Sequence, residues 1–307
     1  MKSESQIEIL ILGGKGMLGH KLFQRLRPRF PGTWCTLRGP IDDPATRGLE
    51  LFSSGQVLEC CDAADFPALE KMLLEWRPGV VINCVGVIKQ RTAAKLAVPS
   101  IILNALLPHR LAELCGRWGG KLIHFSTDCV FDGRRGGYEE TDLTNAEDLY
   151  GRTKALGEVS AANALTLRTS IIGRELDHFQ SLLEWLLGQN QKQVRGYTRA
   201  FYSGVTTNFM AKVAGDLIER HPQVSGLYQV TSAKISKFNL LCLLRDAYGL
   251  DIDVVPDDEL FCDRSMKGEK FAAATGYICP EWSELVAQLA SDDTPYAKWR
   301  SPQYEML

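Results

Sequence analysis

The chain has 307 residues, 45% hydrophobic and 23% charged, a globular composition long enough for one or two domains. Its 35 basic and 37 acidic residues leave a net charge of -2, so no one-signed field draws it to nucleic acid or to an anionic membrane. The longest apolar run, near 80–88, falls far short of a bilayer span, and the run at 9–12 is too short for a secretory signal, so neither a membrane segment nor export is expected.

Short β-branched runs predict strands at 8–12, 33–37, 57–60, 80–85, 121–126, 166–172 and 227–230. Between them, apolar residues repeat near a period of 3.6 at 18–26, 66–76, 100–118 and 150–163, which predicts crossover helices. This alternation is the pattern of a doubly wound parallel α/β sheet of the Rossmann type. Residues 1–173 are expected to form a nucleotide-binding domain, joined by a returning strand near 225–232. Residues 174–307 are expected to form mainly a smaller substrate-binding lobe, with an apolar helix at 179–187 and a basic-aromatic loop at 192–202. Nine cysteines, an odd number with no Cys-x-x-Cys pair, point to no disulfide framework and no metal site. They read as free thiols of a reducing, cytoplasmic compartment.

The first predicted strand runs into Gly13-Gly14-Lys15-Gly16-Met17-Leu18-Gly19 and then a helix. Gly13 allows a tight turn, Gly16 lets backbone N–H groups approach a pyrophosphate, and Gly19 lets helix and strand pack closely. The helix N-terminus adds partial positive charge. Gly13, Lys15, Gly16, Met17, Leu18 and Gly19 are therefore candidate dinucleotide-binding residues, against the plainer reading of a structural turn. After the second strand, where NAD-specific proteins carry an acid for the ribose, this chain has Arg38. A guanidinium there, helped by Lys15, would pair with a 2′-phosphate and favour NADPH, with NADH possible; the other reading is a solvated loop arginine. Asp62 could accept from the adenine amino group, and Asn83, Cys84, Val85 and Gly86 could line the nicotinamide side, or all five could be ordinary strand-end turns.

Tyr150 and Lys154 stand four residues apart, hence on one helix face, where a cation would favour the phenolate and suit the tyrosine to proton exchange with an alkoxide. Upstream, Ser126-Thr127-Asp128-Cys129 ends a predicted strand in hydroxyls that could hold a carbonyl.

With GGKGMLG, STDCVFDG, YEETD, YGRTKALGE and LRTSIIG in order, the chain resembles the extended short-chain dehydrogenase/reductases, and within them the dTDP-4-dehydrorhamnose reductase-like branch. The resemblance spans about 170 residues and is loose over the C-terminal third. It implies that Thr127 is the catalytic hydroxyl, Tyr150 the proton donor, and Lys154 the residue that binds the nicotinamide ribose and lowers the tyrosine pKa. Thr169 and Ser170 would flank the nicotinamide, and Asn104 would be structural. The implied reaction is NADPH-dependent reduction of a 4-keto group on a nucleotide-linked deoxy sugar, in a homodimer built on the helices at 100–118 and 150–163.

Three departures leave alternatives open. Asp128 is followed by Cys129 rather than by the second acid of the 4,6-dehydratases, which disfavours dehydration. Cys129 with His178 resembles the epimerising arrangement of GDP-L-fucose synthase, a bifunctional alternative to a merely packed cysteine. Arg195 and Arg199, with Lys192, Tyr197 and Tyr202, resemble a lobe that could stack a base and hold a diphosphate, or form a solvated face. Residues 261–265 could close the sugar pocket. Non-catalytic NADP-binding regulatory subunits of methionine adenosyltransferase resemble the same branch, but the complete set Thr127, Tyr150 and Lys154 argues for an enzyme.

Overall fold

A computed structural model describes residues 7–53, 55–87, 96–189 and 192–304. Ile9–Leu12 (β1) reads Ile-Leu-Ile-Leu and is buried throughout. Ile9 and Ile11 join one hydrophobic cluster and Leu10 and Leu12 the other, as a period of two requires in a sheet covered on both faces. The same division recurs at Val80 and Ile82 against Val81, and at Ile123 and Phe125 against Leu122.

In chain order β1 leads to Met17–Leu26 (α1), Thr33–Thr36 (β2), Glu50–Ser53 (α2), Val57–Leu58 (β3), Phe66–Trp76 (α3) and Val80–Asn83 (β4). Then come Ala97–Ser100 (α4), a π-helical segment Ile101–Leu106, Leu107–Gly116 (α5), Lys121–Ser126 (β5), Leu149–Leu156 (α6) and Ala164–Arg168 (β6). The remainder comprises Ile171–Ile172 (β7), Leu182–Leu187 (α7), Gln193–Tyr197 (β8), Ala200–Tyr202 (β9), Val205–Thr206 (β10), Thr207–Glu219 (α8) and Gly226–Gln229 (β11). It closes with Ile235–Ser236 (β12), Lys237–Tyr248 (α9), Asp253–Asp257 (β13), Cys262–Asp263 (β14), Glu269–Thr275 (α10), Trp282–Ala290 (α11) and Tyr296–Tyr304 (α12).

The main sheet has seven strands in the order β11-β6-β5-β4-β1-β2-β3, all parallel, so this is the expected doubly wound Rossmann-type architecture. The strand order reverses between β1 and β4, and open α/β sheets bind ligands outside the carboxyl ends of the strands at such a point. Three small sheets, β7 with β10, β8 with β13, and β9 with β12 and β14, lie outside the main one. Among the described residues, no helix is long and apolar enough to cross a membrane.

Several sequence expectations are corrected. The strand expected at 166–172 is two, because the chain leaves the sheet at Thr169 and Ile171 pairs instead with Val205. The helix expected at 150–163 stops at Leu156, since a side chain at Gly157 would collide with the Asn104 carbonyl; the two helical backbones touch there. The helix at 100–118 is interrupted by the π-helical turn, which places Asn104 where its Oδ1 accepts from the Val87 N–H at 2.8 Å. The same amide donates to the Val87 carbonyl at 3.1 Å. The helix at 179–187 begins only at Leu182, after left-handed backbone at His178 and Phe179. Within 192–202, the described residues form β8 and β9 rather than a loop, and Tyr202 faces the core.

Candidate active site

Gly13 turns with φ of +84°, a region open to glycine at little cost. A side chain at Gly19 would collide with the Gly13 carbonyl, and one at Gly14 would lie 2.7 Å from the Cys35 sulfur. Gly16 caps α1 without a side-chain acceptor, and no acid stands in the first turn, so the helix N-terminus is available to an anion. Other backbone donors of the loop are spent within the protein, Gly13 N–H on Thr36 Oγ1 at 3.0 Å, Gly14 N–H on the Thr36 carbonyl at 2.9 Å and Gly16 N–H on the Gly13 carbonyl at 3.0 Å. These residues fit a pyrophosphate. Met17 is half-buried at the helix start, while the Leu18 side chain belongs to the core.

Arg38 is exposed just beyond β2, with no hydrogen bond or ion pair to the described residues. Lys15 is engaged: its Nζ lies 3.1 Å from Asp177 Oδ2. The Asp62 carboxylate accepts from the Ala64 N–H at 3.0 Å, an ordinary turn bond. The Asn83 amide meets His124 Nδ1 at 3.1 Å, and its Oδ1 accepts from the Val85 N–H at 3.0 Å. Burial pushes the Cys84 thiol up, opposed by the nearby Lys154 ammonium. A side chain at Gly86 would press on Asn104 Oδ1.

β5 delivers Thr127 to the carboxyl edge of the sheet, where its hydroxyl donates to Asp128 Oδ1 at 3.1 Å and accepts from the Cys129 N–H at 3.2 Å. α6 is capped by Asp148, whose Oδ1 accepts from the Gly151 N–H at 2.8 Å. Any side chain at Gly151 would collide with the Cys129 carbonyl. That close approach sets the Tyr150 phenol against the Thr127 hydroxyl. Burial pushes the Tyr150 phenol up, Cys129 adds to the rise, and Thr127 opposes it. Burial brings the Lys154 ammonium down to about 8, with Glu158 and Cys84 holding it up. Its Nζ donates to the Phe125 carbonyl at 2.6 Å. Burial dominates at the phenol, and Lys154 is turned to the Phe125 backbone. Thr169 is buried, and the Ser170 carbonyl accepts from the Val205 N–H at 2.8 Å.

Other expected residues lie elsewhere. His178 is exposed beside Asp177 Oδ2 at 3.4 Å. Arg195 is paired with Asp257 and Glu259, at 2.5 and 2.9 Å. Arg199 is exposed, 5.4 Å from the Phe261 ring centroid. Sequence reasoning missed His20, Glu158 and Lys237. Glu158 joins Ser126 Oγ and the Arg168 guanidinium, each at 2.7 Å, bracing the end of β5. Its only signal was an acid one turn after Lys154.

The sheet order, glycine loop and Thr127–Tyr150–Lys154 grouping define a Rossmann-type α/β protein of the extended short-chain dehydrogenase/reductase kind. The chain belongs to the family described as RmlD substrate binding domain, which matches residues 7–294. A Streptomyces antibioticus protein named "Probable dTDP-4,6-dihydroxy-2-methyloxan-3-one 4-ketoreductase" is 30% identical over 239 residues, 73% of this chain and 71% of that one. The methionine adenosyltransferase 2 subunit beta of Xenopus laevis is 22% identical over 262 residues, 78% of this chain and 72% of the relative. The fold also matches a dTDP-4-dehydrorhamnose reductase from Bacillus anthracis, solved in complex with NADP. That match has a TM-score of 0.74 at 20% identity and covers 92% of this chain and 98% of the other.

Proposed function

We propose that this chain is an NADPH-dependent oxidoreductase that reduces the 4-keto group of a nucleotide-linked deoxy sugar. The observation that carries the reading is the Tyr150 phenol set against the Thr127 hydroxyl at the carboxyl edge of the sheet, beside the strand-order reversal. Gly13 to Gly19 and the α1 N-terminus would hold the pyrophosphate, and Arg38 the 2′-phosphate. NADPH, when bound, supplies the hydride. Thr127 positions the carbonyl oxygen, and Tyr150 delivers a proton to that oxygen as it becomes an alkoxide. Lys154 would hold the nicotinamide ribose and return a proton to the Tyr150 phenolate. In this reading residues 1–173 mainly carry the cofactor and 174–307 mainly the substrate.

Similarity to the methionine adenosyltransferase subunit favours a second, non-catalytic reading. NADPH consumption with a panel of nucleotide-linked 4-keto sugars separates the two. Tyr150→Phe should lower turnover by about a hundredfold or more while NADPH binding survives. Full activity in that variant would remove Tyr150 from the role. The exposure of His178 and its pairing with Asp177 support plain reduction over epimerisation, and product formed in heavy water should carry no enzyme-dependent deuterium at C3 or C5. Exposed Leu96 at the cap of α4, with Val98 on α4, Ile101 and Leu106 on the adjoining π segment and Leu156 on α6, support the homodimer; a monomeric mass by light scattering would refute it.

A further inference from the structure

Two further cations, Lys237 and Arg264, stand near the Asp128–Cys129 turn that follows Thr127. Lys237 opens α9 directly after its cap, where the Ser236 Oγ accepts from the Asn239 N–H at 3.1 Å. Its ammonium lies 4.0 Å from the Tyr202 ring centroid and faces Asp128, Cys129 and Cys262. The side chain is only partly open to solvent yet closely surrounded by protein, the position of a group lining a cleft. Among the described residues it has no hydrogen-bond acceptor and no carboxylate within ion-pair distance. Arg264 is aimed by its Nε, which donates to the Phe131 carbonyl at 2.8 Å, and its Nη1 reaches to 4.0 Å from the Cys129 sulfur. The Tyr202 hydroxyl is buried near Ser170 and makes no hydrogen bond of normal geometry.

A deeply set ammonium without a counter-ion is costly, and the aromatic face beneath it offsets only part of that cost. Asp128 offsets part of this, but its single charge is shared between Lys237 and Arg264. An oxygen anion from a ligand would satisfy Lys237, Arg264 and the Tyr202 hydroxyl together.

We propose that Lys237 and Arg264, with the Tyr202 hydroxyl, form an oxyanion-recognising subsite beside Thr127 and Tyr150. The subsite takes a phosphate or carboxylate oxygen of the substrate. This inference deepens the reductase reading and rests on it. With a ring carbonyl at Thr127, the anion would be a diphosphate on the anomeric carbon or a carboxylate on the ring.

The test is calorimetric binding of inorganic pyrophosphate and, separately, glucuronate at fixed salt. The proteins are wild type, Lys237→Met, Lys237→Arg, Arg264→Met and the distant surface control Lys212→Met, each checked by its melting temperature. Pyrophosphate affinity should fall at least tenfold in Lys237→Met and Arg264→Met, persist in Lys237→Arg, and be unchanged in Lys212→Met. If glucuronate binding alone shows this dependence, the subsite stands and the anion is a sugar carboxylate. Binding of neither anion to wild type, or equal binding to wild type and Lys237→Met, overturns the proposal. Tyr150→Phe should bind pyrophosphate like wild type. Absence of turnover on every 4-keto sugar, with Lys237-dependent pyrophosphate binding intact, would sink the reductase reading and leave the subsite.

Discussion

Around α1 the buried polar groups are paired by the protein itself. Lys21 donates to Asp292 at 2.8 Å, to Gln24 at 2.6 Å and to Thr294 at 3.0 Å. His20 spans the Gly16 carbonyl at 2.9 Å and the Tyr296 hydroxyl at 2.8 Å, tying the end of the glycine loop to the C-terminal segment. Across the crevice, Lys237 rests on an aromatic face and the Tyr202 hydroxyl makes no hydrogen bond of normal geometry. The loop region is preorganised from within, whereas the Lys237 cluster leaves its polar valences to a ligand. Charge removal should therefore act with opposite sign in the two places.

The largest effect is expected at the first. Asp292→Asn leaves Lys21 buried without its counter-ion, as both side chains are almost fully covered, so stability should drop by about 3 kcal/mol or more in urea unfolding. A loss under about 1 kcal/mol would mean that the C-terminal segment does not brace α1.

His20 sharpens the same contrast through pH. Burial lowers its pKa from 6.5 to about 3, with the Gly16 bond opposing, so the unfolded chain binds more protons between these values. Its contribution to stability is complete above pH 6.5 and is lost as pH falls towards 3. His20→Asn should flatten the stability profile across that window; an unchanged slope would assign the acid sensitivity to other groups.

Lys237→Met should leave unfolding stability equal or raise it by about 1 kcal/mol, since it removes a charge that the fold does not neutralise. A clear loss would show that the cation is structural. The smallest effect belongs to Arg134→Ala. Its ion pair with Glu147 joins side chains 74% and 71% exposed, and no shift of the urea midpoint should be resolved.

The strands of the main sheet were legible because burial on both faces writes a continuous apolar run into a few consecutive residues, as in Ile-Leu-Ile-Leu of β1. The glycine loop was legible because a positive φ at Gly13 and a backbone approach at Gly19 are local demands that exclude side chains. Tyr150 and Lys154 could be placed on one helix face by spacing alone. The sequence by itself therefore determined the sheet class, the loop and one face of α6. Tertiary structure alone decided that β7 leaves the main sheet for β10, that Arg195 is spent on Asp257 and Glu259, and that Lys154 turns to the Phe125 carbonyl. It also brought Lys237 to Cys129, more than a hundred positions away in the chain. The physical reason is range: backbone conformation and hydrophobic period are set by near neighbours, but the partner of a charge is whichever group the folded chain carries across to it.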